Sequence, residues 1–152
     1  MNFYMPVKVY EESNCVMAHA RELSGMGIKP LIVTGKSSAK KNGSLDDVIN
    51  ALKSCGKNYA HFNKVEENPS IETIMEARDY GIEEGCDYVI GIGGGSAMDA
   101  AKAVAAFAAN PGIEPEDIFD KSIIKPTTIM TMDIATVNNI ANLLIHKLCI
   151  VS

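Results

Sequence analysis

Three consecutive glycines separate an apolar run from an alanine-rich stretch in the segment Tyr88-Val89-Ile90-Gly91-Ile92-Gly93-Gly94-Gly95-Ser96-Ala97-Met98-Asp99-Ala100-Ala101-Lys102. Residues of these types in this order suit the binding of phosphate. Glycines lack Cβ atoms and so let main-chain N–H groups approach an oxyanion. The first turn of a following helix adds unpaired N–H groups and the positive end of its dipole. A dinucleotide is the ligand this pattern favours. The segment is not the GxGxxG fingerprint: Gly91, Gly93 and Gly94 give a GxGG start, but position 96 is serine. The plain alternative is a tight strand-to-helix turn with Ser96 and Asp99 as a capping box. Three successive glycines cost backbone entropy that such a turn seldom needs.

A second loop, Thr34-Gly35-Lys36-Ser37-Ser38-Ala39-Lys40-Lys41-Asn42-Gly43, mixes hydroxyls with lysines. Gly35-Lys36-Ser37 has the look of a Walker A ending. The glycine required five residues before Gly35 is Pro30, which disfavours nucleoside triphosphate hydrolysis. If both loops follow strands of one parallel sheet, they converge on one crevice that grips an extended dinucleotide at both ends, with the lysine loop taking the adenosine half. A loop selecting NAD offers a carboxylate to the ribose hydroxyls, whereas a 2′-phosphate needs hydroxyls and positive charge. Gly35 follows Thr34, and no acid occurs between it and Asp46. The expected cofactor is therefore NADP rather than NAD, against the alternative that these lysines form a solvated surface.

The elements that must position these loops are legible from periodicity. Short apolar runs alternating with helical patterns predict βαβ units in a parallel sheet with helices on both faces, a Rossmann-like α/β fold. Strands are expected at Val7–Tyr10, Leu31–Thr34, Tyr59–Phe62 and Tyr88–Ile92. Helices are expected at Cys15–Met26, at Leu45–Ser54 with Ser44 and Asp47 as a capping-box pair, and at Ser96–Ala109. A further helix should start with Asn68 as N-cap and Pro69 at its first position, and close near Gly85. A short helical turn is expected at Pro115–Phe119. From Ile134, the residues Ile134, Val137, Ala141, Leu144 and Leu148 predict an apolar helical stripe, which would pack on this domain or on another copy.

With 152 residues, 47% of them hydrophobic, the chain fits one core-forming domain. A formal charge of −5 and the lack of a basic run disfavour nucleic acid. No apolar stretch spans a bilayer, since the tail is interrupted by Asn138, Asn139, Asn142, His146 and Lys147, and the amino terminus lacks a secretory pattern. A cytoplasmic location is expected. Cys15, Cys55, Cys86 and Cys149 form no CxxC pair and show no histidine at ligand spacing, so they are read as reduced thiols. His19, His61 and His146 are read as ordinary structural or surface histidines, and no metal site is assigned.

Gly93-Gly94-Gly95-Ser96-x-x-Asp99-x-Ala101-Lys102 matches a GGGSxxDxAK motif, and Glu67-Asn68-Pro69-Ser70 an NPT-like motif after the third strand. On these residues the chain resembles the amino-terminal domain of the iron-dependent alcohol dehydrogenases, relatives of glycerol dehydrogenase and dehydroquinate synthase. The stretch from Gly35-Lys36-Ser37-Ser38 to Asp47 resembles the NADP-using butanol and 1,3-propanediol dehydrogenase-like branch. Agreement runs from about Val7 to about Lys125. The resemblance implies a dehydroquinate synthase-like amino-terminal domain in which Gly94, Gly95 and Ser96 bind the pyrophosphate and Asp99 lies near the nicotinamide. It also implies Asn68 by the adenosine half and Gly35, Lys36 and Ser37 around the ribose or its 2′-phosphate. Lys102 would brace the helix or pair with an acid.

After Pro126 the family continues with PTTAGTGSE, whereas this chain reads Pro126-Thr127-Thr128-Ile129-Met130-Thr131-Met132-Asp133. The family's helical second domain supplies an aspartate and three histidines to iron, and no counterpart is visible here. The expectation is a dinucleotide-binding domain over residues 1–126 with a divergent helical tail over 127–152. It would be a truncated alcohol dehydrogenase that binds NADP(H), is inactive alone, and lacks catalytic residues of its own. The competing reading is a non-enzymatic regulatory or assembly module, whose apolar tail dimerises or docks on a helical-domain partner.

Overall fold

In the computed structural model, residues 9–116, 131–135 and 149–151 are described. The strands are β1 (Val9–Glu11), β2 (Pro30–Gly35), β3 (Ala60–Val65), β4 (Tyr88–Ile92), β5 (Thr131–Ala135) and β6 (Cys149–Val151). The helices are α1 (Cys15–Ala18), α2 (Ala20–Ser24), α3 (Ser38–Lys41), α4 (Ser44–Ser54), α5 (Ile71–Glu83) and α6 (Gly95–Ala109). The described strands form one sheet in the order β1-β6-β5-β4-β2-β3, and every pairing is parallel.

Side chains alternate across the central strands, and both faces are buried, which is why these strands read as continuous apolar runs. On one face Ile32, Ile90 and Ile92 meet Leu23, Val48 and Leu52 of the helices α2 and α4. On the other, Leu31, Val33 and Val89 meet Ile74, Ala77, Val104 and Phe107 of α5 and α6. Small residues let α6 lie close to β4: a Cβ placed on Gly91 would fall 2.7 Å from the Ala101 Cβ. The alanine-rich composition of α6 thus serves close packing on the sheet.

The amino ends of β2 and β4 are tied together. The Asp87 carboxylate accepts the Ile28 and Lys29 N–H groups at 2.7 and 2.9 Å, and Lys29 Nζ pairs with Glu84 Oε2 at 3.0 Å. Gly27 is sterically required there, because a Cβ would lie 2.6 Å from both the Asp87 carboxylate and the Tyr88 ring.

Three local expectations need correction. The helix expected over Cys15–Met26 is split at His19 (φ −106°, ψ 22°) into α1 and α2. Helix α5 is capped by Ser70, whose Oγ accepts the Thr73 N–H at 3.2 Å, and not by Asn68. Asn68 takes a left-handed turn (φ 54°), a conformation asparagine tolerates, while Ser70 has the extended backbone of an N-cap. At α4 the expected Ser44–Asp47 capping box is replaced: Gly43 (φ 85°) is the N-cap, and Asn42 Oδ1 accepts the Ser44 N–H and hydroxyl at 3.1 and 2.7 Å.

The largest departure is at the carboxyl-terminal end. Ile134, expected to open a helical stripe, lies in β5 opposite Ile92 of β4, and Cys149–Val151 form β6. The open edge of β4 offers a ladder of backbone partners, and that tertiary pairing outweighs the helical spacing of a few apolar residues. The sheet therefore continues beyond residue 126. Val137, Ala141, Leu144, Leu148 and His146 lie outside the described residues, as does the end of the turn expected at Pro115–Phe119. Among the described residues, no helix is long and apolar enough to cross a membrane.

Candidate functional site

Strands β2 and β4 are neighbours, yet the chain leaves their carboxyl ends in opposite directions, toward α4 on one face and α6 on the other. Diverging connections at adjacent strands open a crevice in a doubly wound sheet. Here a cleft of about 330 Å³ occupies that place. Its walls are the loop Gly35-Lys36-Ser37-Ser38 after β2, Val65-Glu66-Glu67 at the end of β3, and Gly94-Gly95-Ser96-Ala97 after β4.

The glycines after β4 divide by role. Gly91 is needed for contact with Ala101, and Gly93 combines φ 142° with a Cβ position only 2.9 Å from the Ala97 Cβ. Gly94 and Gly95 have no such internal reason. Gly94 is extended (φ −82°, ψ −169°), and a Cβ on either residue would meet nothing within 4 Å. Their missing side chains leave bare backbone toward the cleft. The N-cap of α6 is Gly94, without a side-chain cap, and the helical ladder begins with the Met98 N–H bonding to the Gly94 carbonyl at 3.1 Å. The Gly95, Ser96 and Ala97 amides precede that ladder, at the positive end of a 15-residue helix. In place of the alternative Ser96–Asp99 capping box, the helix start has backbone turned toward open space. Such a wall fits an anion.

The loop after β2 is held from below. Thr34 donates its hydroxyl to the Gly35 carbonyl at 2.8 Å, so the 2.9 Å contact with His61 Nε2 is one in which the imidazole donates. Half-buried His61 has its pKa lowered by desolvation. The expected loop contains the short helix α3. Of the three lysines, only Lys36 lines the cleft, while Lys40 and Lys41 are exposed on α3.

The third wall carries acid. The Glu66 carboxylate accepts the Ser70 N–H at 2.9 Å and the Thr73 hydroxyl at 2.8 Å, bonds that hold its pKa down at about 2. Glu66 thereby fixes the β3–α5 connection, and exposed Glu67 follows at the cleft. Neither acid was among the expected site residues, although Glu67 opens the NPT-like motif, and the third strand was expected to end at Phe62 instead of Val65. The extra strand residues carry Glu66 and Glu67 up to the sheet's carboxyl edge.

Six of the expected site residues, Gly35, Lys36, Ser37, Gly94, Gly95 and Ser96, line this single cleft. Asn68 and Asp99 do not. Asn68 shapes the turn before α5, and Asp99, with 74% of its side chain exposed, lies 3.8 Å from Lys102 Nζ. Lys102 thus pairs with an acid.

Cysteine chemistry needs one correction. Cys15 and His19 are four residues apart, and their ligand atoms lie within 4.8 Å of each other and of a Glu12 carboxylate oxygen. This group is not an aspartate with three histidines, and His61 is engaged with Thr34. The described residues do not fit the iron site of the resembled family, and no chemical step is derived through iron.

Fold and cleft define a Rossmann-like α/β domain with an anion-suited crevice at its switch point. A model of the iron-containing alcohol dehydrogenase family matches residues 6–141. The match passes Lys125, where motif agreement was expected to stop. The chain is 32% identical over 123 residues to NADH-dependent butanol dehydrogenase B of Clostridium acetobutylicum, covering 81% of this chain and 32% of that relative. It is 33% identical over 138 residues to the NADPH-dependent aldehyde reductase of Escherichia coli, covering 86% and 35%. The crystal structure of an iron-containing alcohol dehydrogenase from Thermotoga maritima superposes with a TM-score of 0.82 at 38% identity, covering 88% of this chain and 37% of that one. The chain belongs to the iron-containing alcohol dehydrogenase family. It spans about a third of the length of these relatives.

Proposed function

We propose that this chain is the dinucleotide-binding part of an iron-containing alcohol dehydrogenase acting in alcohol–aldehyde hydride transfer, and that it takes NADP(H) in the cleft between β2 and β4. The observation that carries this reading is the pair Gly94 and Gly95, which neither backbone angle nor packing requires to be glycine, on a wall of helix-leading amides. In this reading the Gly95 and Ser96 amides hold the pyrophosphate, and Gly35, Lys36 and Ser37 receive the ribose 2′-phosphate with one positive charge and a hydroxyl. Glu67 on the facing wall disfavours a second anion there and orients the phosphate toward Lys36. Asn68, on the β3–α5 connection, and Asp99, on α6, do not line the cleft and are given no contact with the cofactor in this reading. Bound nicotinamide supplies the carbon that carries the hydride; the residues of this chain bind and orient it.

The names of the relatives divide between NADH and NADPH, so the preference for NADP rests on the Gly35–Ser38 wall. The reading further holds that the chain does not turn over an alcohol by itself, because its described residues do not make the aspartate–histidine iron set. It also places the chain in the cytoplasm, where Cys15, Cys55 and Cys86, unbridged here, stay reduced.

Isothermal titration of the full chain tests the reading. NADPH should bind more tightly than NADH, and Gly94→Val should weaken both while the circular dichroism spectrum is retained. Equal indifference to both cofactors, or binding unchanged by Gly94→Val, would overturn it.

A further inference from the structure

A second concentration of chemistry lies at the opposite edge of the sheet, where β1 ends and the chain turns into α1 and α2. The backbone turns twice there, through the left-handed Asn14 (φ 59°) and through the non-helical break at His19. The two turns fold the segment so that a Glu12 carboxylate oxygen, Cys15 Sγ and a His19 ring nitrogen all lie within 4.8 Å of one another. Cys15 is fully buried, His19 keeps 20% of its side chain exposed, and Glu12 faces solvent with 53%. The three donors are therefore a thiol beneath, an imidazole beside it and a carboxylate at the mouth.

The imidazole is held from two further sides. Its ring stacks on Tyr10 with centroids 3.6 Å apart and planes 25° apart. While Nε2 lies 2.8 Å from Glu12 Oε1, Nδ1 lies 3.6 Å from Glu22 Oε1. Glu22 is itself held, since the Tyr10 hydroxyl donates to its two oxygens at 2.8 and 2.9 Å. With Nε2 at the Glu12 oxygen, Nδ1 lies at ion-pair distance from a held carboxylate, and a small ring movement shortens that contact to the hydrogen bond by which a carboxylate sets the tautomer of a metal-bound imidazole. An ordinary His–Glu hydrogen bond requires neither the thiol nor the Tyr10–Glu22 support.

We propose that Glu12, Cys15 and His19 form a binding site for one zinc-class divalent cation, with Glu22 and Tyr10 as its outer support. Thiolate, imidazole and carboxylate together suit zinc, and a water molecule completes four-coordination. Tetrahedral zinc holds such ligand atoms about 3.4 Å apart, so closing on the ion requires movements on the order of 1 Å, which the exposed Glu12 side chain and its turn supply. On binding, Cys15 releases its thiol proton to solvent, His19 gives up the Nε2 proton that Glu12 had accepted and carries its remaining proton on Nδ1 toward Glu22, and Glu12 exchanges the His19 hydrogen bond for a metal bond. The bound ion clips the end of edge strand β1 to α1 and α2. This proposal is independent of dinucleotide binding.

The test is cobalt titration of the chelator-treated full chain, followed by zinc competition. Cobalt should bind at one equivalent with a near-ultraviolet thiolate charge-transfer band, and zinc should bleach that band. Glu22→Gln should weaken zinc about 10–100-fold. Cys15→Ser should abolish the band, whereas Cys55→Ser and Cys86→Ser should leave it intact. If Cys15→Ser fails to fold by circular dichroism, His19→Gln decides, and it should weaken cobalt at least as much as Glu22→Gln does. Absence of a thiolate band in the wild-type chain at saturating cobalt would overturn the proposal. So would a band that survives His19→Gln at unchanged affinity.

Discussion

At the amino ends of β2 and β4 nearby glycine and backbone groups are committed, whereas at their carboxyl ends several are left open. Gly27 is fenced by Asp87 and Tyr88, and the Ile28 and Lys29 amides are taken up by one carboxylate. Across the same two strands, Gly94 and Gly95 face open space and the amides of the first α6 turn precede the helical ladder. The contrast separates two uses of glycine. One fills a place where a side chain cannot fit, and the other keeps a place empty for something outside the chain. The lower edge holds the strands in register, and the upper edge is free to do chemistry.

Substitution at the two edges should therefore have opposite signatures. Gly27→Val drives a β-branched side chain into the Asp87 carboxylate and the Tyr88 ring, and should cost about 3 kcal/mol of stability, read by urea unfolding. Dinucleotide affinity of the remaining folded protein should be unchanged. Gly95→Ala should do the reverse. Its Cβ meets nothing, and alanine at the start of a helix should leave stability unchanged or raise it by about 0.5 kcal/mol. NADPH affinity should fall about tenfold or more, roughly 1.4 kcal/mol, as the methyl group displaces phosphate from the backbone. A Gly95→Ala variant that binds normally would remove the distinction between the edges.

Lys36 sharpens the comparison within the upper edge. As the lysine of its loop that lines the cleft, it should carry the discrimination between the cofactors. Lys36→Ala should weaken NADPH about fivefold, roughly 1 kcal/mol, and NADH much less. The ratio of the two affinities, taken from competitive titrations, checks this. Equal weakening would assign Lys36 to the shared pyrophosphate instead.

The sequence made the central strands and the glycine loop legible because both faces of β2 and β4 are buried, so their apolar runs are continuous, and because three adjacent glycines have few other uses. Details that depend on tertiary partners were not legible. Helical spacing from Ile134 was outweighed by the vacant ladder beside β4. Asn68-Pro69 has the composition of a helix start, but Ser70 holds the extended angles a cap needs, and Glu66 completes it from outside the helix. Asp99 carries the family motif without reaching the cleft, since the outward face of α6 points it at solvent and Lys102. The four-residue spacing of Cys15 and His19 was in the sequence and was overlooked, whereas the turn at Asn14 that brings Glu12 to them is announced by no periodicity.

Glu66 combines the roles of the two edges, because it stabilises the chain and shapes the cleft through the same bonds. Its pKa, at about 2, lies below the ordinary carboxylate value of 4.5, so the ionised form is favoured by folding. The stability it contributes is complete above pH 4.5 and is lost as pH falls from there toward about 2. Glu66→Gln keeps one acceptor oxygen but removes the charge-assisted bonds to the Ser70 amide and the Thr73 hydroxyl. The variant should be slightly less stable than wild type at neutral pH, and the difference should shrink steadily through that acidic window. Because the same bonds hold Glu67 and the third wall of the cleft, a small loss of NADPH affinity at neutral pH should accompany the change. A stability difference that stays constant into the acidic range would show that the Glu66 bonds do not discriminate between its ionised and protonated forms, and the third wall would then owe its position to the Ser70 cap alone.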